Sequence, residues 1–212
     1  MIDFDAYSNQ YDGFLGQVQV FVPHGETVGT DAAVLAMLDR NRDATTATAT
    51  TVASQGQDRY RVYTNAKNTY HNFGSALGIT YNFYKKFIVV GNVSFNKMKS
   101  NSTNDIFVTG FNTPQWSTNV SLGDREVVKN IGFNIVWRWQ DAFLWESPLV
   151  TGSIPAYNTI DAQVSFRFPK LKSQLKLGGA DILNHRYLQY ASGPTIGALY
   201  YAAITVDGLL NK

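Results

Sequence analysis

Several features that are common in soluble enzymes are missing or scarce in this chain of 212 residues. It contains no cysteine, which excludes a disulfide framework, a thiolate nucleophile and cysteine-bound zinc. Charged residues make up 16% of the chain, below the roughly 25% of a typical soluble domain. The formal net charge is only +2, and no basic run is interleaved with aromatic residues, so nothing indicates nucleic-acid binding.

Long hydrophobic runs are also missing. No apolar run approaches the roughly 20 residues that a membrane-spanning helix needs. The first residues, MIDFDAYSNQ, have neither a basic nor an apolar segment, so we do not expect them to be a signal peptide. If the protein is exported, we therefore expect this chain to be an interior or truncated piece of a longer one.

The chain instead alternates apolar and polar residues, most clearly between Tyr157 and Asn184. From Ile160 to Phe168 the even positions are apolar and the odd positions are polar. Side chains alternate across a β-strand, so this pattern predicts a strand with one apolar and one polar face. Pro169 to Lys172 interrupts the alternation, which then resumes. The segment is therefore predicted to be a hairpin of two long strands joined by a short basic turn.

The same alternation predicts about eight strands of roughly 10–15 residues along the chain. The first is expected to be one long strand over residues 2–22, with a bulge near Gly13, and the last lies near 198–206. Short and long connections alternate: the short ones are at 84–86, 123–127 and 169–173, and the long ones at 24–58, 99–111, 142–154 and 184–197. The loop at 24–58 contains a low-complexity run, 45–54, and a short helix is predicted there from Asp31 to Leu38.

This sorting of connections by length is typical of an outer-membrane barrel, whose short turns face the periplasm and whose long loops face outward. Aromatic residues near both strand ends fit the two interfaces of a bilayer. Near the short turns these are Phe83, Phe87, Phe166 and Phe168; near the long loops they are Trp116, Trp137, Trp139, Tyr157 and Tyr200. The predicted fold class is therefore all-β, an antiparallel transmembrane β-barrel segment. The alternative is a soluble antiparallel barrel with its apolar face inward.

Five segments occur in an order and spacing that resemble a known family. They are FYKKFIVVGNVSFNK, FNTP, WRWQDAFLWES, IPAYNTIDAQVSFRFPKLKSQLKLGGADILNHRY and GPTIGALYY. From Ile2 to Leu210 the chain resembles the C-terminal β-barrel portion of TonB-dependent outer-membrane receptors, of the Bacteroidetes type. The family element G-x-x-N-L-x-N-x-x-Y corresponds to Gly178 through Tyr187, with Asp181 in place of the first Asn. We expect Asp181 to make the same turn-type hydrogen bonds as that Asn.

The resemblance implies energy-coupled uptake of a bulky nutrient, such as an oligosaccharide, a peptide or an iron chelate, with no enzymatic activity and no cofactor. Such receptors are barrels of roughly 22 strands with an N-terminal plug. Residues 1–212 would be the C-terminal part of the barrel, without plug or signal peptide, and 24–58 a long extracellular loop. The implied location is the outer membrane of a Gram-negative bacterium.

The partners implied are outer-membrane lipid, a TonB-type energy-coupling complex acting through the missing N-terminal part, the extracellular substrate and a surface lipoprotein, but not nucleic acid. Two other functions stay open. One is a stand-alone small outer-membrane barrel with a structural or adhesive role. The other is a soluble lipocalin-like binder.

Residues that could carry metal chemistry are few. Residues 39–43, DRNRD, begin like a calcium loop, but Ala44 replaces the required Gly and Thr50 the closing Glu, so a solvated helix end is the preferred interpretation. The three histidines, His24, His71 and His185, lack metal-ligand spacing.

Two carboxylates, Asp161 and Glu146, are of the kind used in acid–base catalysis, but neither has an evident partner in the sequence. For Asp161 we expect an ion pair with Arg167, Lys176 or a neighbouring strand instead. No catalytic residue is predicted.

Ligand contacts are expected in the outer loops and the upper lumen, where polar groups fix orientation and aromatic rings supply area. The predicted contacts are Trp145, Glu146, Arg186 and Tyr190. The alternatives are an interface anchor for Trp145 and a loop salt bridge for Glu146 and Arg186.

Overall fold

The computed structural model describes residues 1–23, 57–84, 86–101, 109–147 and 150–206. Most of the predicted 24–58 loop lies outside these residues, and with it the helix from Asp31, the run at 45–54, the calcium-like segment and His24. Within the described ranges, no helix is both long enough and apolar enough to cross a membrane.

The described residues form strands β1 (Ile2–Tyr11), β2 (Leu15–Pro23), β3 (Gln57–Asn65), β4 (Tyr70–Phe83), β5 (Phe87–Ser100), β6 (Trp116–Val128), β7 (Ile131–Gln140), β8 (Phe143–Glu146), β9 (Thr151–Ile154), β10 (Tyr157–Phe168), β11 (Ser173–Ala180) and β12 (Leu199–Val206).

Eight of these strands make one antiparallel sheet in the order β1-β4-β5-β6-β7-β10-β11-β12. The prediction of about eight long antiparallel strands is therefore confirmed. The β10–β11 hairpin is also confirmed, because Phe168 pairs with Ser173 across a 3-10 turn at Pro169–Leu171. Lys172 closes that turn in the left-handed conformation, with φ 44°.

The predicted single strand over residues 2–22 is wrong. The chain breaks at Gly13, whose φ of 62° is the left-handed conformation that glycine adopts without steric cost. β1 joins the large sheet beside β4, whereas β2 pairs with β3 in a separate two-stranded sheet. Ile2 and Phe4 before the break and Val18 and Val20 after it all lie at even positions, so periodicity does not reveal the break.

Two connections also differ from their predictions. The predicted turn at Gly123–Glu126 is instead part of β6, whose pairing with β7 is irregular between Asp124 and Val128, and the chain turns at residues 129–130. Asn130 takes a left-handed φ of 66° there, which Asn tolerates better than most residues. The predicted loop at 142–154 contains the β8–β9 hairpin, a two-stranded sheet of its own.

The pairing register gives the large sheet one apolar and one polar face. Directly opposed residues of antiparallel strands project to the same side. One row across six strands is therefore apolar or glycine throughout: Ile160, Trp137, Val120, Gly91, Ile79 and Ile2. The adjacent row on the opposite side alternates polar residues with valines: Asp161, Val136, Ser121, Val90 and Thr80. The next row on that side is polar or glycine throughout: Arg138, Asn119, Asn92, Gly78 and Asp3. We call these two sides the apolar face and the polar face.

The apolar face is exposed. Ile79 is 43% exposed, Val120 39%, Trp137 38% and Val164 38%. Among the described residues the buried apolar side chains are Ala66, Tyr70 and Ile154, none of which belongs to this face. The sheet therefore has no apolar core of its own on that side.

The aromatic residues near the strand ends follow the same division. Phe83, Phe87, Phe166 and Phe168 lie on the apolar face at the short-turn end, and Trp116, Trp137, Trp139 and Tyr200 lie on it towards the long connections. Tyr157 does not belong to this set. It pairs with Gln140, shares the parity of Asp161 and lies on the polar face.

Candidate functional site

The polar face carries the candidate site because two cavities open on it. A cavity of about 530 Å³ crosses five neighbouring strands near the short turns. It is lined by Ile88, Val90, Ser121, Gly123, Asp124, Arg125, Phe133, Asn134, Gln163, Ser165, Arg167, Gln174 and Lys176. A second cavity of about 470 Å³ lies towards the long connections. Both are rich in polar side chains, so this face is suited to water and polar solutes.

Edge tyrosines cover two glycines on this face. The Tyr7 hydroxyl reaches across β4 and donates to Asn96 Oδ1 at 2.7 Å. A Cβ added at Gly74, on β4, would lie 2.8 Å from the Tyr7 ring and 2.4 Å from the Phe95 carbonyl oxygen. Glycine at this position therefore permits the close approach of the ring.

The opposite edge repeats the arrangement. The Tyr201 hydroxyl reaches across β11 to Gln163 Oε1 at 2.9 Å, and a Cβ at Gly178 would lie 2.7 Å from the Tyr201 hydroxyl oxygen. Each edge strand is thus joined by a side chain to the strand beyond its neighbour.

An ion pair lies in the middle of the polar face. Arg138 on β7 donates through Nη1 to Asp161 Oδ2 on β10. The other oxygen of Asp161 accepts the backbone N–H of Asp181 at 2.9 Å. Asp161 was expected to pair with Arg167, with Lys176 or with a residue of a neighbouring strand, and the last of these is confirmed. Asp161 therefore ties β7 and β10 to the start of the β11–β12 loop.

Asp181 itself is only 2% exposed, and neither carboxylate oxygen has a hydrogen-bond partner within the described residues. The expectation that it makes turn-type hydrogen bonds through its side chain is therefore wrong. Its φ of 47° is left-handed, which Asp and Asn both tolerate. An unpaired buried carboxylate is costly, so the Asp at this position is a local destabilising feature.

Two tyrosines that were not among the predicted ligand contacts meet at the end of the polar face nearest the long connections. The rings of Tyr157 and Tyr187 stack with centroids 4.2 Å apart. Burial raises the pKa of the Tyr187 phenol, and the nearby carboxylates of Asp181 and Asp161 raise it further. The signal in the sequence was the odd parity of Tyr157, which it shares with Asp161.

The cavity of about 470 Å³ brings this pair together with polar side chains. It is lined by Pro114, Ser117, Asn119, Arg138, Trp139, Gln140, Tyr157, Thr159, Tyr187 and Gln189. Amide side chains donate and accept hydrogen bonds, and aromatic rings offer flat contact area. The arrangement can therefore hold a polar solute without a metal or cofactor.

The four predicted ligand contacts do not form one cluster. Trp145 on β8 and Tyr190 in the β11–β12 loop do meet, with ring centroids 5.8 Å apart. Arg186 is exposed and, within the described ranges, forms an ion pair neither with Glu146 nor with any other residue. The loop salt bridge considered for Glu146 and Arg186 is therefore not found there.

Glu146 instead joins the β8–β9 hairpin to the segment before β6. Its carboxylate accepts the Thr109 hydroxyl at 2.8 Å, and its backbone N–H donates to Asn112 Oδ1 at 2.6 Å. The Asn112 amide returns a hydrogen bond to the Glu146 carbonyl at 2.9 Å. Through these contacts Glu146 holds the β8–β9 hairpin against the long connection before β6.

Metal ligands are not assembled anywhere in the part of the chain that the structure describes: no three His, Asp or Glu side chains lie together there as a metal would need.

Comparisons with known proteins give structural neighbours only. No family model and no curated protein matches the chain. Among solved structures, the ferripyoverdine receptor of the outer membrane of Pseudomonas aeruginosa, bound to ferripyoverdine, matches with a TM-score of 0.57 and 11% identity, over 96% of this chain and 24% of that one. The siderophore receptor PirA from Acinetobacter baumannii matches with a TM-score of 0.57 and 13% identity, over 96% and 29% of the two chains.

The copper transporter OprC matches with a TM-score of 0.50 and 12% identity, over 95% of this chain and 28% of that one. The fold is that of a segment of an outer-membrane β-barrel. At these identities the likeness concerns the fold alone. The chain spans between about a quarter and a third of the length of these neighbours.

Proposed function

We propose that this chain is part of the barrel of a TonB-dependent receptor, of the Bacteroidetes type, in the outer membrane of a Gram-negative bacterium. In this proposal it takes part in the energy-coupled uptake of a bulky nutrient, such as an oligosaccharide, a peptide or an iron chelate, and is not an enzyme. The TonB-type complex acts through an N-terminal plug, and a surface lipoprotein is a further partner.

The observation that carries the proposal is the contrast between the two faces of one sheet. The apolar face is exposed over its whole width, from Ile2 on β1 (72% exposed) to Ile204 on β12 (74%). Exposed apolar surface of this extent is unfavourable in water and favourable against lipid tails. A soluble lipocalin-like barrel would need this same face turned inward and covered, which the exposures argue against.

The edges of the sheet favour a segment of a larger barrel over a small closed one. β1 and β12 are the end strands of the sheet, and in the described residues they do not pair with each other. Unpaired edges expose a row of backbone donors and acceptors, so further strands are needed to satisfy them. The partial coverage of the much longer structural neighbours is in keeping with this.

Ligand binding is proposed at the outer end of the polar face. The Trp145–Tyr190 and Tyr157–Tyr187 ring pairs supply flat surfaces there. Arg186 is an exposed cation on the same loop as Tyr190 and Tyr187. Glu146 fixes the hairpin that carries Trp145.

Tryptophan fluorescence in lipid vesicles tests the proposal. Trp116, Trp137 and Trp139 lie on the apolar face, and Trp145 lies on the β8–β9 hairpin. In vesicles of phosphatidylcholine brominated on its acyl chains, we expect most of the emission to be quenched. Emission that is unchanged, from a protein that stays monomeric and folded without detergent, would instead establish the soluble binder.

The genomic DNA upstream of Met1 separates the two membrane functions. An in-frame plug and signal peptide would establish the receptor. A stop codon followed by a promoter would establish the stand-alone barrel.

A further inference from the structure

A basic patch lies on the apolar side of the sheet where the strands meet the long connections. We call it the rim patch and define it as His71 on β4 with Lys97 and Lys99 on β5. The register pairs His71 with Lys99 and Phe73 with Lys97, so all three basic side chains project to the apolar side. Farther from the long connections, β5 itself carries Phe95, Val93 and Val89 on the same side.

Aromatic rings lie directly beside the rim patch on the same side of the sheet. Lys99 Nζ lies 5.7 Å from the centroid of the Phe73 ring. Phe73 contacts Phe95 with centroids 6.2 Å apart, and Phe95 contacts Trp116 at 4.8 Å. The three basic residues are exposed, and within the described residues none of them forms an ion pair. The charges of the two lysines are therefore available to an external anion.

Among the described residues, the acid Asp12 lies near the rim patch. Asp12, in the turn between β1 and β2, faces His71, and hydrogen bonds from Thr69 and Gln10 hold the pKa of its carboxyl below the usual range. Asp12 is therefore ionised at neutral pH and offsets part of the charge. The two lysines outnumber this one carboxylate, so they keep the rim patch positive.

Positive charge directly above an aromatic belt matches a lipid whose anionic headgroup lies at the membrane surface and whose tails lie below it. We propose that the rim patch binds the phosphate groups of an outer-leaflet lipid, with the acyl chains against Phe73, Phe95 and Trp116. This inference rests on the proposed function, because it requires the apolar face to contact the bilayer and the long connections to face outward.

The probe is diphosphoryl lipid A, whose phosphates lie at the headgroup, added to the full chain in detergent micelles and measured by native mass spectrometry. We expect one tightly retained molecule and weaker retention of dephosphorylated lipid A. The double variant K97Q/K99Q should lower the apparent affinity on the order of tenfold or more, since each lysine near a charged headgroup contributes about fivefold. Inorganic phosphate should not compete at equal concentration, because it lacks the tails.

The matched control is K170Q/K172Q. It removes two exposed lysines from the short β10–β11 turn, at the opposite end of the strands. This variant should retain lipid A like the unchanged protein. Equal losses in both variants, or equal retention of the dephosphorylated lipid, would overturn the inference. Those results would leave the proposed function standing if the bromolipid quenching is still observed, whereas absent quenching would remove both.

Discussion

The two faces of the eight-stranded sheet come from the same strands but are stabilised in different ways. On the apolar face Ile79 and Val120 remain 43% and 39% exposed, with no layer packed above them in the described residues. On the polar face an ion pair joins Arg138 and Asp161, and edge tyrosines hydrogen bond across their neighbouring strands. Compared with a soluble protein, in which apolar side chains are buried and polar ones face water, this sheet exposes its apolar side chains and bonds its polar ones to one another. The stability of the apolar side therefore depends on the solvent or lipid around it, whereas the polar side is stabilised by its own hydrogen bonds and ion pair.

The strongest test of this contrast is a charge on the apolar face. Val120→Arg puts a guanidinium near the middle of β6, and we expect the free energy of unfolding in phospholipid vesicles to fall by about 2–4 kcal/mol, the cost of Arg near the bilayer midplane. Urea unfolding followed by tryptophan fluorescence measures it.

The control for that change is Ser121→Arg. Ser121 is the next residue, but it lines the cavity of about 530 Å³ on the polar face, so the same charge should cost little there. Equal losses for the two variants would show that the faces do not meet different solvents.

Replacing one glycine on each face by alanine tests how closely the two faces are packed. Gly74→Ala would bring a methyl group to 2.4 Å from the Phe95 carbonyl oxygen and 2.8 Å from the Tyr7 ring, so we expect a loss of about 1–3 kcal/mol from overpacking. Gly91→Ala, on the apolar face, meets its nearest atoms at 3.8 Å and should be nearly neutral. Thermal unfolding of both variants in the same detergent decides the matter, and a neutral Gly74→Ala would contradict the proposed role of Tyr7.

The central ion pair allows a third test. Asp161→Ala removes the acceptor of both Arg138 and the Asp181 N–H, so we expect a loss of about 1–3 kcal/mol. Arg138→Ala removes only one contact of a half-exposed side chain and should cost roughly 1 kcal/mol or less. A double-mutant cycle measured by urea unfolding gives the coupling, and equal losses for the two single variants would contradict a second role for Asp161.

The smallest expected effect is a gain. Asp181→Asn replaces a buried carboxylate that has no hydrogen-bond partner by a neutral side chain of the same shape, and it should stabilise the protein by about 0.5–2 kcal/mol. Asp124→Asn is the control: Asp124 is 5% exposed, but its Oδ1 accepts the Glu126 N–H at 2.7 Å, so no gain is expected. A loss of stability in Asp181→Asn would mean that its charge is used.

The amino-acid sequence predicts the strands of this protein better than the connections between them. Alternation between Ile160 and Phe168 gave both the strand and its two faces, because a strand's side-chain period of two is a local property. The alternation predicts only a bulge at Gly13, where the chain breaks, and a turn at Gly123, where β6 continues. Glycine occurs both in turns and inside strands that a partner approaches closely, so its position alone does not distinguish these structures.

The candidate site was less accessible to sequence reasoning than the strands. Trp145 and Tyr190 were selected as loop aromatics and do meet, although they are 45 positions apart in the sequence. The Tyr157–Tyr187 stack and the Arg138–Asp161 pair depend on which strands are neighbours and in which register. No local pattern encodes that choice, since other basic residues on the polar face, such as Arg167 farther along β10 and Lys176 on β11, were equally available partners for Asp161.

By itself, the amino-acid sequence determined that this chain forms long antiparallel strands with one apolar and one polar side, because that follows from the residue order within each strand. Only the tertiary structure decided that the apolar side stays exposed, which side chains of distant strands meet, and that within the described residues the two end strands do not pair with each other. Those features arise from contacts between residues far apart in the chain, whose geometry is fixed only when the strands assemble into a sheet.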